Sequence, residues 1–344
     1  MTTVGVIVNP LAGKDIRRLV GNASPVSDAA KVGMVRRAVV GAVEGGARRI
    51  LISDDHHHLG HRALDRLDVP DGVAVELIVE PLSADRLDTV AAAAHLAKRD
   101  AGAVVVFGGD GTARDVVAGW PEAPLVPVST GTNNVFPLAW DATSAGTAAG
   151  LVAAGAVDVS AVTRQAKRIL LHVTGEDDPP EVHDVALVDV ALLAGSFVGS
   201  RAVWKANGIR CVVAAIATPA SSGLSSIAGR IHPVGRWTDE AVVIDLGPGG
   251  RSVRLPLLPG TFAAVDVARS ASLAMGETVE WSGPGVLALD GERTHVLRRG
   301  DRATVTVRRD GPFVIDVEGA LQAAVAAKLF DVDDVADREE PDGH

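Results

Sequence analysis

Val104-Val105-Val106-Phe107-Gly108-Gly109-Asp110-Gly111-Thr112 is the stretch that decides the fold. Four consecutive apolar residues without polar alternation read as a strand covered on both faces. Glycines directly behind such a strand permit a sharp turn and a close backbone approach to a ligand. The residues from Asp110 onward carry a helical pattern, so the segment reads strand–turn–helix, with free amides at the helix start that favour phosphate. A carboxylate in that turn would repel phosphate, and it makes sense where a metal is handled or a proton accepted. The competing reading is a tight turn with Asp110 as a helix cap.

The surroundings repeat the theme. Val4 to Val8, Ile50 to Ser53, Val73 to Val79 and Leu125 to Val128 are further strand candidates. Val32, Val35, Val39 and Val43 recur at helical spacing before the stop Gly45-Gly46, and helical patterns cover His61 to Leu67 and Ser83 to Lys98. This βαβα order predicts an open parallel sheet. Near Asp158 the pattern changes to short β-rich runs: Ile169 to Val173, Val185 to Leu193, Ile209 to Ala217, Ala241 to Leu246, Ser252 to Leu258, Val286 to Leu289 and Ala303 to Val307. Such regular short strands predict a sandwich-like β domain. The expected organisation is an α/β domain with an open parallel sheet over 1–156, a mostly β domain over 157–317, and a last helix over 318–330 that returns to the first. An acidic tail over 331–344 is expected to be disordered.

Composition bounds the function. The chain has 344 residues, enough to bury two ordinary cores. Its formal charge of −10 argues against a nucleic-acid binder. Seven acids and one Arg after Phe330 account for −6 of that charge, which leaves the body near neutral. One cysteine, Cys211, excludes a disulfide framework and a cysteine-cluster metal site, and it reads as inert core. The absence of Tyr and an aromatic content of 3 % exclude broad base-stacking platforms. No signal peptide or membrane span is recognisable, so a cytoplasmic protein with no membrane partner is expected. Asp54-Asp55-His56-His57-His58-Leu59-Gly60-His61 holds four of the ten histidines, but adjacent His side chains point apart. No side-chain metal site is expected, and this run is expected to be a loop over the sheet edge.

Two further loops resemble the Gly108 turn in chemistry. Asn9-Pro10-Leu11-Ala12-Gly13-Lys14 follows the first strand, with Arg17 and Arg18 behind it, and Ser129-Thr130-Gly131-Thr132-Asn133-Asn134 follows the strand at Leu125. Three such loops would gather at the carboxyl edge of a parallel sheet, where open α/β sheets bind ligands. Lys14, Arg17 and Arg18 read equally as a solvated helix face. Late in the chain, Asp290-Gly291-Glu292 follows the strand Val286 to Leu289. Without further context it reads as a hairpin turn.

Gly108 to Thr112 resembles the GGDGT motif of the NAD kinase and diacylglycerol kinase superfamily. Asn9 to Gly13 fits that superfamily's NPxAG loop, and Gly131-Thr132-Asn133-Asn134-Val135-Phe136 is similar to its lipid-kinase GTGNDFA loop. The run Asn9 to Val20 most resembles the acetoin-catabolism protein X (AcoX) group. The resemblance spans roughly 4–330 and implies an ATP-NAD kinase-like architecture. It implies that Asn9, Gly13, Lys14, Gly108, Gly109, Gly111, Thr112, Gly131, Thr132 and Asn133 hold ATP, with Mg²⁺, and that Asp110 supports phosphoryl transfer. It assigns Asp290 or Glu292 as the base that deprotonates an alcohol acceptor. The acceptor side departs from the NAD kinases: Leu187-Val188-Asp189-Val190-Ala191 replaces the dinucleotide-reading Asn-Glu strand, and Thr218 to Gly229 lacks the Tyr of TGSTAY. Asp189, Ser222 and Ser225 are the acceptor-side candidates. Phe197 to Arg201 with Trp204 reads as the opening of a helix in the second domain. The expected activity is γ-phosphoryl transfer from ATP to a hydroxyl of a small metabolite. The alternatives are an authentic NAD kinase and a nucleotide-binding regulator without turnover. A homodimer or tetramer is expected by the same resemblance.

Overall fold

The computed structural model describes residues 2–12, 26–65, 67–78, 82–131, 134–175, 181–194, 208–258 and 260–331. The expectations for Gly13, Lys14, Arg17, Arg18, Thr132, Asn133, the Phe197 to Trp204 segment and the tail from 332 lie outside the described residues.

Five strands, β1 (Thr3–Val8), β2 (Arg49–Ser53), β3 (Ala74–Ile78), β4 (Ala103–Gly108) and β5 (Pro124–Ser129), form a parallel array in the order β3-β2-β1-β4-β5. Alternate residues of these strands feed two cores. Val4, Val6, Val105 and Phe107 face helices α1 (Asp28–Glu44) and α5 (Ala142–Ala153). Ile7, Val104 and Val106 face α3 (Arg86–Lys98) and α4 (Asp110–Gly119). Burial on both faces is why the Val104 run does not alternate. The short α2 (Leu59–Leu64) follows the histidine run. Helices α1 and α5 approach so closely that a Cβ on Gly146 would collide with the Ala38 carbonyl and one on Gly41 with that of Thr143.

After α6 (Val159–Val162) the chain adds β6 (Thr163–Gln165) at the far edge of this sheet. The last strand, β17 (Phe313–Ile315), then inserts between β5 and β6, parallel to β5 and antiparallel to β6. The closing helix α8 (Val317–Ala326) buries Val317, Ala320 and Ala324 in the same core as α1 and α5. The helix expected at 318–330 thus returns to the first sheet, ending earlier than expected.

Between β6 and β17 lie two antiparallel sheets. One has the order β12-β11-β10-β9-β14-β15, built from β9 (Asp189–Leu193), β10 (Ile209–Ala214), β11 (Glu240–Leu258), β12 (Thr261–Ala274), β14 (Gly285–Leu289) and β15 (Arg293–Leu297). The other, β13-β16-β7-β8, contains β7 (Arg168–Thr174), β8 (Val182–Ala186), β13 (Thr278–Ser282) and β16 (Arg302–Arg308). Leu171, Val173, Val305 and Trp281 of the smaller sheet meet Val190, Val213, Leu287 and Cys211 of the larger one in a shared sandwich core. Burial raises the Cys211 thiol's pKa further, consistent with inert core. Helix α7 (Leu224–Ile231) covers the other face of the larger sheet.

Two strand readings are corrected. Ala241 to Leu246 and Ser252 to Leu258 belong to one long strand, β11, with an irregularity between Leu246 and Arg251 that a sequence break imitates. Val185 to Leu193 is two strands: the chain leaves the smaller sheet after Ala186 and enters the larger one at Asp189. A nearly continuous apolar run, interrupted only by Asp189, conceals this switch, because each half is buried in its own sheet.

Among the described residues no helix is long and apolar enough to cross a membrane.

Candidate active site

The carboxyl ends of β1, β4 and β5 open into a cleft of about 910 Å³, closed from the other side by the β8–β9 junction, the β14–β15 turn and the start of α7. That volume lies in the range of small-molecule sites.

The first wall is built from three loops tied to one another. Asn9, directly after β1, donates its side-chain amide to Thr112 Oγ1 at 2.9 Å and accepts from the amides of Leu11 and Ala12. Lys31 of α1, wholly buried, donates from Nζ to the carbonyls of Asn9 (3.0 Å) and Pro10 (2.6 Å). It therefore holds the first loop from behind. In the third loop, Thr130 N donates to Gly108 O at 3.1 Å, and Asn134 Nδ2 donates to Ser129 Oγ at 2.8 Å. Thr130 Oγ1 is buried with no hydrogen-bond partner among the described residues. Gly131 lines the cleft beside it.

Asp110 does not cap α4. The N-cap is Gly109, without a side-chain hydrogen bond, and the Asp110 carboxylate turns across the cleft floor. There it accepts from Phe136 N (2.8 Å) and Val135 N (3.0 Å). Arg236 fastens that segment from the β-rich half, donating to the carbonyls of Val135 and Phe136 at 2.7 and 2.9 Å. Its guanidinium also lies over the Phe136 ring, 5.5 Å from the centroid. Lys167, in turn, donates to the carbonyls of Gly235 and Glu240 and so fixes the loop that bears Arg236.

The second wall carries Asp290. The Asp290-Gly291-Glu292 segment is the hairpin turn between β14 and β15, with positive φ at Asp290 (48°) and Gly291 (69°). It is more than a turn, because Asp290 accepts from the amides of Leu187 (3.1 Å), Val188 (2.9 Å) and Asp189 (3.3 Å) through Oδ1. These amides turn toward Asp290 where the chain changes sheets at Leu187. Asp290 Oδ2 lies 3.4 Å from Arg114 of α4, and the Asp290 side chain has no solvent exposure. Glu292 reaches back over α4, where its carboxylate leaves no room for a Cβ on Gly111. Acids from residues almost two hundred apart in the chain thus meet over the first turn of α4.

The electrostatics follow from this convergence. Burial pushes Asp110 up to about 7, helped by the charge of Asp290 and opposed by the two backbone amides. Burial likewise pushes Asp290 up to about 6 against Arg114 and its three amides. One flank of the cleft is an ion network. Arg293 pairs with Asp115 and with Asp184 (2.6 Å), and His295 Nε2 lies 2.7 Å from Asp184. Burial raises Asp184, but the hydrogen bonds from His295 and Arg293 outweigh it and hold that carboxyl far below the usual range.

The structure brings Asn9, Gly109, Asp110, Thr112, Gly131, Asp189, Ser222, Ser225, Asp290 and Glu292 to one cleft, with Gly108 and Gly111 in its wall. His56 and His57 line its rim, where His57 Nδ1 meets Asp28 at 2.7 Å. Sequence reading missed Lys31, Arg114, Arg236, Arg293, Asp184 and His295. Only burial and long-range partners mark them, and neither has a local signature. The residues that could hold a phosphate-bearing ligand are the loops at Asn9, Gly109 and Gly131. Asp110, Asp189 and Glu292 are the cleft acids that could face a cation.

Comparison with known proteins bears on the family and the fold. Residues 4–155 match the ATP-NAD kinase N-terminal domain, and residues 167–310 match the acetoin catabolism protein X C-terminal domain. Among solved structures, yeast NADH kinase complexed with NADH superimposes with a TM-score of 0.55 at 13 % identity, covering 98 % of this chain and 89 % of that one. That likeness speaks for the fold, an NAD kinase-like architecture. Acetoin catabolism protein X of Cupriavidus necator is 34 % identical over 330 residues, which is 93 % of this chain and 92 % of that protein. With this identity along nearly the whole length and the matching C-terminal domain, the chain belongs to the acetoin catabolism protein X family, on a kinase-type fold.

Proposed function

We propose that this cleft transfers the γ-phosphoryl group of ATP to a hydroxyl of a small metabolite. The convergence of Asp110, Asp290 and Glu292 over the first turn of α4, next to three tied loops, carries this reading. Phosphoryl transfer asks a protein mostly for positioning and charge control. The amides at Gly109 to Thr112 and the loops at Asn9 and Gly131 to Asn133 receive the phosphates, with Lys14 adding charge. Asp110, Asp290 and Glu292 stand close enough that the charges of the other two add to burial in raising Asp110, and a cation arriving with the nucleotide would offset that charge. Asp110 and Asp189 would face a hydrated Mg²⁺, which supplies countercharge to the triphosphate.

Within this reading the carboxylates divide the work. Asp290 is wholly buried and saturated by amides, so it acts as a positioning residue that fixes the β8–β9 junction. Glu292 takes the acceptor's proton as the acceptor oxygen bonds to the γ-phosphorus and the bond to the ADP oxygen breaks. Asp189, Ser222 and Ser225 border the acceptor's half of the cleft. A proton acceptor of this kind contributes typically 10²–10⁴-fold.

The test is ADP release from MgATP across a panel of hydroxylated metabolites that includes NAD. Turnover with one small alcohol, reduced about 10²-fold or more by Glu292→Gln at unchanged nucleotide affinity, is the expected result. Selective turnover of NAD would replace this reading by that of an NAD kinase. Nucleotide-induced thermal stabilisation without turnover on any acceptor would replace it by that of a binding regulator.

A further inference from the structure

Outside the cleft, the solvent face of the smaller β sheet carries a cluster the proposed chemistry does not use. His172 of β7 and His183 of β8 are direct cross-strand partners. Leu171 and Val173 point into the sandwich core, so His172 points outward. Glu181 precedes His183 by two residues and therefore shares its face. The two imidazoles stack with centroids 4.4 Å apart and planes 7° from parallel. Glu181 Oε2 stands 3.4 Å from Nε2 of His172 and 3.4 Å from Nε2 of His183.

These distances have a meaning. They are long for hydrogen bonds to a carboxylate. Donors bound tetrahedrally at about 2.0–2.1 Å from one ion stand about 3.3–3.4 Å apart. All three donor atoms lie within 4.8 Å of one another. His172 Nε2 is buried and has no hydrogen-bond partner among the described residues. Two imidazoles and one carboxylate suit zinc, cobalt and nickel, whereas Mg²⁺ and Ca²⁺ ask for oxygen ligands.

We propose that His172, Glu181 and His183 form a binding site for a divalent ion of the zinc class. The fourth position opens to a hollow of about 340 Å³ bordered by Thr278, Thr304, Thr306 and Arg308, from which water completes the coordination. This hollow shares no lining residue with the nucleotide cleft. The ion pins β7 to β8 from outside. On the other side of that strand, Asp184 holds Arg293 and His295, and the chain continues into the amides that receive Asp290.

The experiment is a titration of the chelator-treated full-length protein with Co²⁺ and Zn²⁺ in the absence of nucleotide. Visible d–d absorption reports Co²⁺, and calorimetry and thermal unfolding report Zn²⁺. One equivalent per chain, d–d bands of a four- or five-coordinate Co²⁺, and a rise in Tm with Zn²⁺ are expected. His172→Gln and His183→Gln should each weaken binding by about 100-fold, a loss at the upper end of those seen for groups that only support a ligand. Glu181→Gln, on the exposed edge, serves in place of either His variant that does not fold. His57→Gln should leave the affinity for Co²⁺ and Zn²⁺ unchanged. Absence of saturation at millimolar Co²⁺, affinity unaffected by the His172 and His183 variants, or affinity lost with His57→Gln would overturn the assignment.

Discussion

Asp110→Asn should make the ligand-free protein more stable in alkali while removing its activity. An Asp that titrates near 7 instead of near 3.9 is held at a disadvantage whenever it is ionised. At pH 8 that disadvantage amounts to about 4 kcal/mol, from roughly three pH units at 1.36 kcal/mol each. The sign follows from proton linkage. Between pH 4 and pH 7 the folded state binds a proton at Asp110 that the unfolded state has released, so stability falls as pH rises through this window. Asparagine keeps the oxygen that accepts from Val135 and Phe136 and carries no charge at any pH. Its new amide group needs a partner, which costs about 1–3 kcal/mol where none is found. The expected gain at pH 8 is therefore about 1–3 kcal/mol. At pH 5, where Asp110 is already protonated in the folded protein, the gain should vanish or reverse. Urea unfolding of both proteins at pH 5 and pH 8, without nucleotide, measures the difference directly. An equal difference at the two pH values, or a variant less stable than its parent at pH 8, would refute the idea that Asp110 is buried against its charge.

Other substitutions probe the scaffold of the cleft. Lys31→Met leaves the carbonyls of Asn9 and Pro10 without their ammonium donor, and charged hydrogen bonds of this kind contribute about 1.5–3 kcal/mol. It should lower both the urea midpoint and the affinity for ATP by calorimetry. Arg236→Ala frees the Val135–Phe136 segment and should shift the pH profile of turnover, since the amides facing Asp110 lose their backing; an unchanged profile would deny that link. Gly146→Ala drives a methyl into the Ala38 carbonyl and should destabilise by about 1–3 kcal/mol while leaving the KM for ATP unchanged in whatever protein remains folded.

What could be read in advance was what is local. The strand–GGDGT–helix segment, the loop after β1 and the Asp-Gly-Glu turn each declare themselves over five or six residues, and the parallel order follows from hydrophobic periodicity. Their meeting in one cleft was legible from the topological rule for open sheets together with the family resemblance. The sheet switch at Leu187 was not legible, since one acid, Asp189, in an otherwise apolar run from Val185 to Leu193 does not distinguish two buried strands from one. Without the switch, the three amides that fix Asp290 cannot be foreseen. Lys31 and Arg114 sit at ordinary helical positions, and only their burial reveals that they brace loops. The histidine run at 56–58 drew attention to itself, whereas His172 and His183 lie eleven residues apart and become neighbours only through strand pairing.

The late arrival of β17 has a consequence for the chain as it is made. The parallel sheet is otherwise complete at Gln165, but β5 and β6 find their shared neighbour only when Phe313 to Ile315 emerges, roughly 150 residues later. At ordinary translation speeds that is an interval of about 7–30 s during which β5 offers an open edge. Asp290 and Glu292 arrive within the same interval, shortly before β17. A nascent chain can therefore shape its phosphate loops early, but it gains the opposing wall and the sheet's final strand almost together, near the end of synthesis.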